Sequence, residues 1–226
     1  MAELAAALAL LQLGDSFFPT GAASFSWGLE TLRADGLVRG PAEVEGFLST
    51  QLSHRWAQFD RPVVLAAHAA GGDLTRVREA DLEADRGTLA REAREGGRRI
   101  GAALLRTHAT MGTAGAAAYR EQVSAGHAPG QAAAVLGLVG RASGLDAAAT
   151  CALSAYGLGS GIVGAALRLG LLGHVDAQRI LLACRSQVVL LANRPALAVG
   201  AIHAHTPMTD IAMMRHETGT GRLFAS

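Results

Sequence analysis

This sequence predicts an all-α fold, a single-domain helical bundle of about eight to ten helices with a central small-residue helix. Three observations carry that expectation. Apolar residues recur at three- and four-residue steps along much of the chain, and glycine and proline stand where such runs stop. No sustained period-two alternation, Asn-Gly hairpin signal or internal repeat is present. The 226 residues suffice for one large core, and no shift in composition divides them.

The first helix is predicted over the apolar run Leu4 to Leu13, stopped at Gly14. Asp15 to Glu30 then gathers Phe17, Phe18, Phe25 and Trp27 around Pro19, Gly21 and Gly28. A Pro-Thr-Gly turn fixes the backbone there, Ser24 is suited to cap the next helix, and the aromatic rings read as a buried anchor. Pro41 and Pro62 suit first helical turns, which predicts helices over roughly 41–58 and 62–70. Between 73 and 99 the charge is dense and mixed, and Arg91, Glu92, Arg94, Glu95, Arg98 and Arg99 read as a solvated face. Leu89, Ala93, Gly97, Ile100, Leu104 and His108 supply the narrow packing stripe of that long helix. Ala147 to Leu167 carries no charge, as a wholly buried central helix would. Asp176 reads as the N-cap of a helix whose Ile180, Leu181, Cys184, Val188 and Leu191 share a face, and Pro195 bends or ends it.

Composition removes several functions. All 20 basic residues are Arg, so the chain has neither the lysine of a P-loop nor a primary-amine side chain for Schiff-base chemistry. The net charge is +1, with acids interleaved among the arginines, which argues against a nucleic-acid footprint. Cys151 and Cys184 lack metal-ligand or CxxC spacing and read as reduced packing residues of a cytoplasmic protein. Glu3 before the first apolar run, with no basic segment, argues against a secretory signal.

Three patterns invite other readings. Gly159, Gly161 and Gly164 fit G-x-G-x-x-G, but a dinucleotide site needs a strand before it and Ala147 to Tyr156 reads as helix. Gly157, Gly161 and Ala165 read instead as a surface for close helix approach. The uncharged Ala147 to Leu167 run also has the length of a membrane span, although Ala and Gly drive insertion weakly and Asp146 and Arg168 flank it. His203, His205 and His216 could gather around a transition metal, yet an H-x-H on a helix points its rings apart and no carboxylate or thiolate completes a set. Thr220 stands where a zincin needs its second histidine. No catalytic constellation, metal set or cofactor motif is therefore assigned.

That leaves binding. Residues 207–226 read as a carboxyl-terminal partner-binding tail after a domain spanning 1–206. Such a tail is expected to be mobile alone and to order against a partner. Leu223 and Phe224 would supply apolar area and Arg222 a planar fork of donors.

The run Leu11 to Glu30, the block Arg168 to Gln178 (RLGLLGHVDAQ) and the tail from Arg215-His216-Glu217 to Arg222-Leu223-Phe224 together resemble the urease accessory protein F family. Arg99-Ile100-Gly101, Met111-Gly112 and Gly137 to Gly144 fit as well, so the resemblance spans almost the whole chain. It implies an all-α, dimer-forming maturation factor without catalytic activity or cofactor. Its implied partners are a nickel-carrying G-type accessory GTPase, a D- or H-type accessory protein and apo-urease, with no nucleic acid or membrane among them. Nickel would be delivered when GTP is hydrolysed. The partner-binding residues implied are Pro19, Gly21, Ser24, Gly28, Glu30, His216, Glu217, Arg222, Leu223 and Phe224. Ala22 and Phe25 depart from the family pattern, which has an aromatic and often a histidine there. In the tail, Thr220 stands for the usual Tyr.

Overall fold

Proline decides the first architectural feature. Gly40, in an extended conformation, leads into Pro41 at the first turn of α3 (Pro41–Gln51), which follows α1 (Ala2–Gly14) and α2 (Leu29–Ala34). The chain then widens into a π-helix over Leu52–Asp60 and returns to α geometry in α4 (Arg61–Ala69), without a break. Pro62 explains the change of winding. It has no N–H for the carbonyl four residues back, and its ring crowds that carbonyl. The carbonyl is that of Gln58, and the His203 N–H donates to it across 3.3 Å. His205 N–H donates likewise to the His54 carbonyl at 3.0 Å, so the segment after the 3-10 turn Val199–Ala201 straps the π-helix. The two predicted helices, 41–58 and 62–70, are thus one continuous rod.

The computed structural model describes residues 2–22, 25–217 and 223–224. After α4 come α5 (Leu74–Gly87), α6 (Arg91–Thr110), α7 (Ala116–Ser124), α8 (Ala132–Ala142), α9 (Ala147–Arg168), α10 (His174–Ala183), α11 (Arg185–Ala192) and α12 (Pro207–His216). No strand occurs among the described residues. The fold is the predicted all-α bundle. Asp176 proves to be the third residue of α10, accepting from the Gly173 N–H, and Gly173 is the cap. A kink at Cys184 joins α10 to α11.

The central helix is α9. The Asp146 carboxylate caps it through the Ala149 N–H at 2.7 Å, and Leu153, Leu158, Ile162, Val163 and Ala166 are among its buried residues. It is long and apolar enough to cross a membrane by length and composition, and half of its most apolar stretch is buried inside the protein. One apolar cluster joins α9 to Leu48, Trp56, Ile180 and Leu191; a second gathers Phe18, Phe59, Leu105, Tyr119 and Val135. The G-x-G-x-x-G residues lie inside α9 with helix on both sides, which excludes a strand-to-helix phosphate turn there. Gly157 faces open space; the close approaches on this helix are Leu181 on Gly159 and Trp27 on Gly161.

Tighter crossings occur elsewhere. A Cβ on Gly137 would overlap the Val64 carbonyl and Ala67, where α8 crosses α4, and one on Gly101 would overlap the Gly130 carbonyl. The loop before α8 is held by a buried carboxylate. Asp81 accepts from the Tyr119 hydroxyl at 2.6 Å and from the N–H groups of Gly130 and Gln131 at 2.7 Å. Burial nonetheless pushes the Asp81 carboxyl above its ordinary value. Gln131 continues the network to Asp85, which Arg98 grips with two donors at 2.8 and 2.7 Å.

The stripe predicted on the long helix holds for Ala93, Ile100, Leu104 and His108, all buried, whereas Leu89 precedes α6 and is exposed. His108 Nδ1 lies 2.9 Å from Thr113 Oγ1, its ring packs against Phe18, and Nε2 is buried with no hydrogen-bond partner. Burial lowers the His108 pKa. Burial likewise raises both cysteine thiols, which are free.

Gly137→Ala is expected to lower unfolding free energy by about 1–3 kcal/mol, because backbone cannot yield to the new methyl. Gly157→Ala should instead raise it by roughly 0.5–1 kcal/mol through helix propensity; denaturant titration of both variants checks the contrast. His108 adds a pH dependence. Its lowered folded pKa means that its contribution is fully present above about pH 6.5, the ordinary imidazole value, and is lost as pH falls through the folded value. His108→Gln should lack that component of the acid-side slope when stability is measured across this range.

Candidate functional site

The amino-terminal aromatic segment and the carboxyl-terminal helix build one site. After α1, the Asp15 carboxylate accepts the Phe17 N–H at 2.8 Å, which turns the chain so that Phe17 faces solvent and Phe18 enters the core. Pro19 and Gly21 are exposed, and Gly21 takes φ +71°. Phe25 is buried under the Arg99 guanidinium, 5.0 Å from its ring, and fits against Gly96 of α6. Trp27 (φ +56°) and Gly28 (φ +80°) then adopt left-handed conformations in succession. For Trp27 that backbone costs on the order of 1 kcal/mol, which surrounding packing must offset. Gly28 is required on two counts, since a Cβ there would also press on the Thr209 carbonyl, Ala212 and Met213 of α12.

α12 follows from Pro207 at its first turn. Thr209, Ala212, Met213 and His216 form its buried face, and Gln51 donates to Thr209 Oγ1 at 2.7 Å. Met208, Ile211 and Met214 lie on the outer face and are exposed. Residues 207–216 are therefore helical and packed on α2 and α6, where a free tail was expected.

At the end of α12 the His216 ring sits between two carboxylates. Nδ1 is 3.0 Å from Glu92 Oε2 and Nε2 is 3.0 Å from Glu30 Oε2, with the His216 side chain 3% exposed. Only the imidazolium donates from both nitrogens. Glu30 also accepts the Leu223 N–H at 2.8 Å through Oε1 and the Phe224 N–H at 3.3 Å through Oε2. Glu217 closes the far side, accepting from the Glu92 N–H and from Arg91. Arg215 pairs with Asp35, just past the end of α2. Phe224 is buried beneath the Arg168 guanidinium, 4.6 Å from its ring, while Leu223 is 72% exposed.

Five of the residues expected to bind partners therefore converge: Glu30, His216, Glu217, Leu223 and Phe224. Gly28 seats the helix that ends in His216, and Pro19 and Gly21 shape the surface further along. Ser24 and Arg222 lie outside the described residues. α2 takes Gly28 as its N-cap with no side-chain cap bond. Ala22, the departure from the family aromatic, packs against the second core cluster.

Glu92 is the residue that sequence reasoning missed, since it was assigned to a solvated charged face and is instead buried against His216. One signal was available. Glu92, Gly96 and Ile100 follow one another at four-residue steps, which puts the carboxylate on the buried stripe. Arg91 and Arg168 were missed as well, because their partners are remote in sequence. His203 and His205 lie along the π-helix strap, and His216 is engaged by carboxylates. No group of three or more His, Cys, Asp or Glu among the described residues is placed to hold a metal ion. The site sets a histidine between two carboxylates beside an exposed Leu223 and an outer α12 face that carries Met208, Ile211 and Met214.

The sequence model of the UreF family matches residues 38–185. A protein named urease accessory protein UreF from Trichodesmium erythraeum (strain IMS101) is 32% identical over 233 residues, covering 99% of this chain and 98% of its own. Proteins of the same name from Actinobacillus pleuropneumoniae serotype 5b (strain L20) and Haemophilus influenzae (strain PittGG) are 32% and 31% identical over 229 residues. Each covers 96% of this chain, with 98% and 94% of their own lengths matched.

Glu92→Leu is expected to cost about 2 kcal/mol of stability, the loss of a buried hydrogen bond to a charged group. It should also weaken the protection of α12 from hydrogen exchange more than that of α9. Equal loss across both helices would show that Glu92 does not act through α12.

Proposed function

The chain belongs to the UreF family of urease accessory proteins, and we propose that within urease maturation it acts as a non-catalytic bridge. In this reading it holds the G-type accessory GTPase and the D- or H-type accessory protein together on apo-urease. It couples GTP hydrolysis to the transfer of nickel, which is cargo and not a resident cofactor. It works in the cytoplasm as a homodimer, and partners contact it through the segment from residue 207 together with the surface shaped by Pro19, Gly21, Ser24, Gly28 and Glu30.

The observation that carries this reading is the convergence of both ends of the chain on His216, with apolar side chains left facing outward. Leu223, Met208, Ile211 and Met214 are all exposed around that latch. Exposed leucine and methionine beside ordered charge form a surface that a partner can desolvate. Phe224 supports it differently, since its ring is buried beneath Arg168 and fixes the direction of the chain end.

Reconstituted urease activation tests the role, with apo-urease, the D-type and G-type proteins, nickel, bicarbonate and GTP, with and without this chain. Activation is expected to require it; equal activation without it would overturn the proposal. Arg222→Ala and Leu223→Asp should each abolish capture of the D- or H-type protein while the helical circular-dichroism spectrum is unchanged. Phe224→Ala should lower stability as well, by about 3 kcal/mol for a buried aromatic ring. Intact capture by the first two variants would remove the tail from the interface.

A further inference from the structure

An imidazole clamped between two carboxylates can satisfy both only while each ring nitrogen carries a proton. His216 is clamped in this way in a buried setting, 3.0 Å from Glu92 on one side and 3.0 Å from Glu30 on the other. Water has little access to replace a missing donor there. Glu30 also holds the N–H groups of Leu223 and Phe224, so the carboxylate that senses the ring's charge is the one that anchors the chain end. We propose that His216 is a protonation-controlled latch, whose imidazolium pins Leu223 and Phe224 to α2 and whose deprotonation releases them. This inference stands independently of the maturation role.

The geometry indicates which arm opens. Nδ1 lies 3.1 and 3.0 Å from both oxygens of Glu92, so the remaining proton of a neutral ring stays there. Nε2 then turns a lone pair toward Glu30 Oε2, and the two repel. Glu30 moves away, and the backbone contacts of residues 223 and 224 go with it.

The other charged groups around the latch keep their roles. α2 contributes Glu30, and Asp35 just past its end pairs with Arg215 of α12. α6 contributes Glu92 and Arg91, and Arg91 holds Glu217 just past α12. α9 sends Arg168 over the Phe224 ring. The π-helix contributes Arg55, close to Asp210 of α12, and Asp60, which pairs with Arg55. Burial raises the Asp210 and Asp60 carboxyls from ordinary values that lie well on the acid side. Among these side-chain types, imidazole is the one that ordinarily changes charge near neutrality.

The test follows the His216 ring by NMR between about pH 5.5 and 9 in the full chain, the range in which an imidazole switches. Hydrogen exchange of the peptide ending at Ser226 is measured at each pH and corrected for intrinsic rates. Protection of Leu223 and Phe224 is expected to fall about tenfold or more as the ring deprotonates, the factor implied by losing one hydrogen bond to a charged group. His216→Gln, which cannot become cationic, should show the low protection at every pH. If that variant fails to fold, Glu30→Gln serves instead and should remove most of the pH dependence. Protection that stays constant while the ring titrates would overturn the latch, as would a ring that remains protonated throughout. The same fall in the substituted chain would overturn it too.

Discussion

Helix backbones touch directly in this protein, and glycine at the crossings is the constraint on which the rest depends. Aromatic residues make up 4% of the chain, so few large side chains are available to fill wide gaps between helices. α8 lies against the α4 carbonyls because Gly137 has no Cβ, and α6 lies against the loop before α8 because of Gly101. Gly96 admits the Phe25 ring and Gly87 the Phe59 ring. These approaches place the first turn of α6, and with it Arg91 and Glu92, beside the end of α12. A methyl group at such a crossing would displace the site as well as destabilise the core.

The ends of the chain meet through a second close fit. Trp27 and Gly28 turn sharply in left-handed conformations, and Gly28 then leaves room for the α12 backbone. Strain at Trp27 is sustained because both sides of the turn are packed, with Phe25 against α6 and Leu29 fully buried. The turn delivers Glu30 to His216 and to the amides of Leu223 and Phe224. The site is thus built on elements almost two hundred residues apart in sequence, joined by hydrogen bonds.

Pro62 has an effect beyond its own turn. The carbonyl that it orphans is satisfied by His203, and the strap that supplies this donor runs on to Pro207 and α12. Arg61 reinforces the arrangement, donating to the carbonyls of Ala192 and Arg194 where α11 ends. A local irregularity in the third rod therefore guides the carboxyl-terminal segment toward the amino-terminal one.

Sequence by itself determined what depends on local periodicity and on backbone chemistry. It specified an all-α chain, a neutral central helix flanked by Asp146 and Arg168, the first helix ending at Gly14, and a shared face through Ile180, Cys184 and Leu191. These follow from repeat spacing and from glycine as a helix stop. Tertiary structure alone decided which group satisfies the carbonyl freed by Pro62, the pairing of Glu92, the folding of residues 207–216 onto α2 and α6, and the close fits at Gly137 and Gly101. Each of these is set by a partner far away in sequence: a His203 amide, a His216 ring, a Gly28 without a side chain, a Val64 carbonyl. A charged residue such as Glu92 reads as solvated until the fold supplies the imidazole that compensates its burial: its four-residue spacing to Gly96 and Ile100 marks the buried face, but the partner acts through space and leaves no trace in the local sequence.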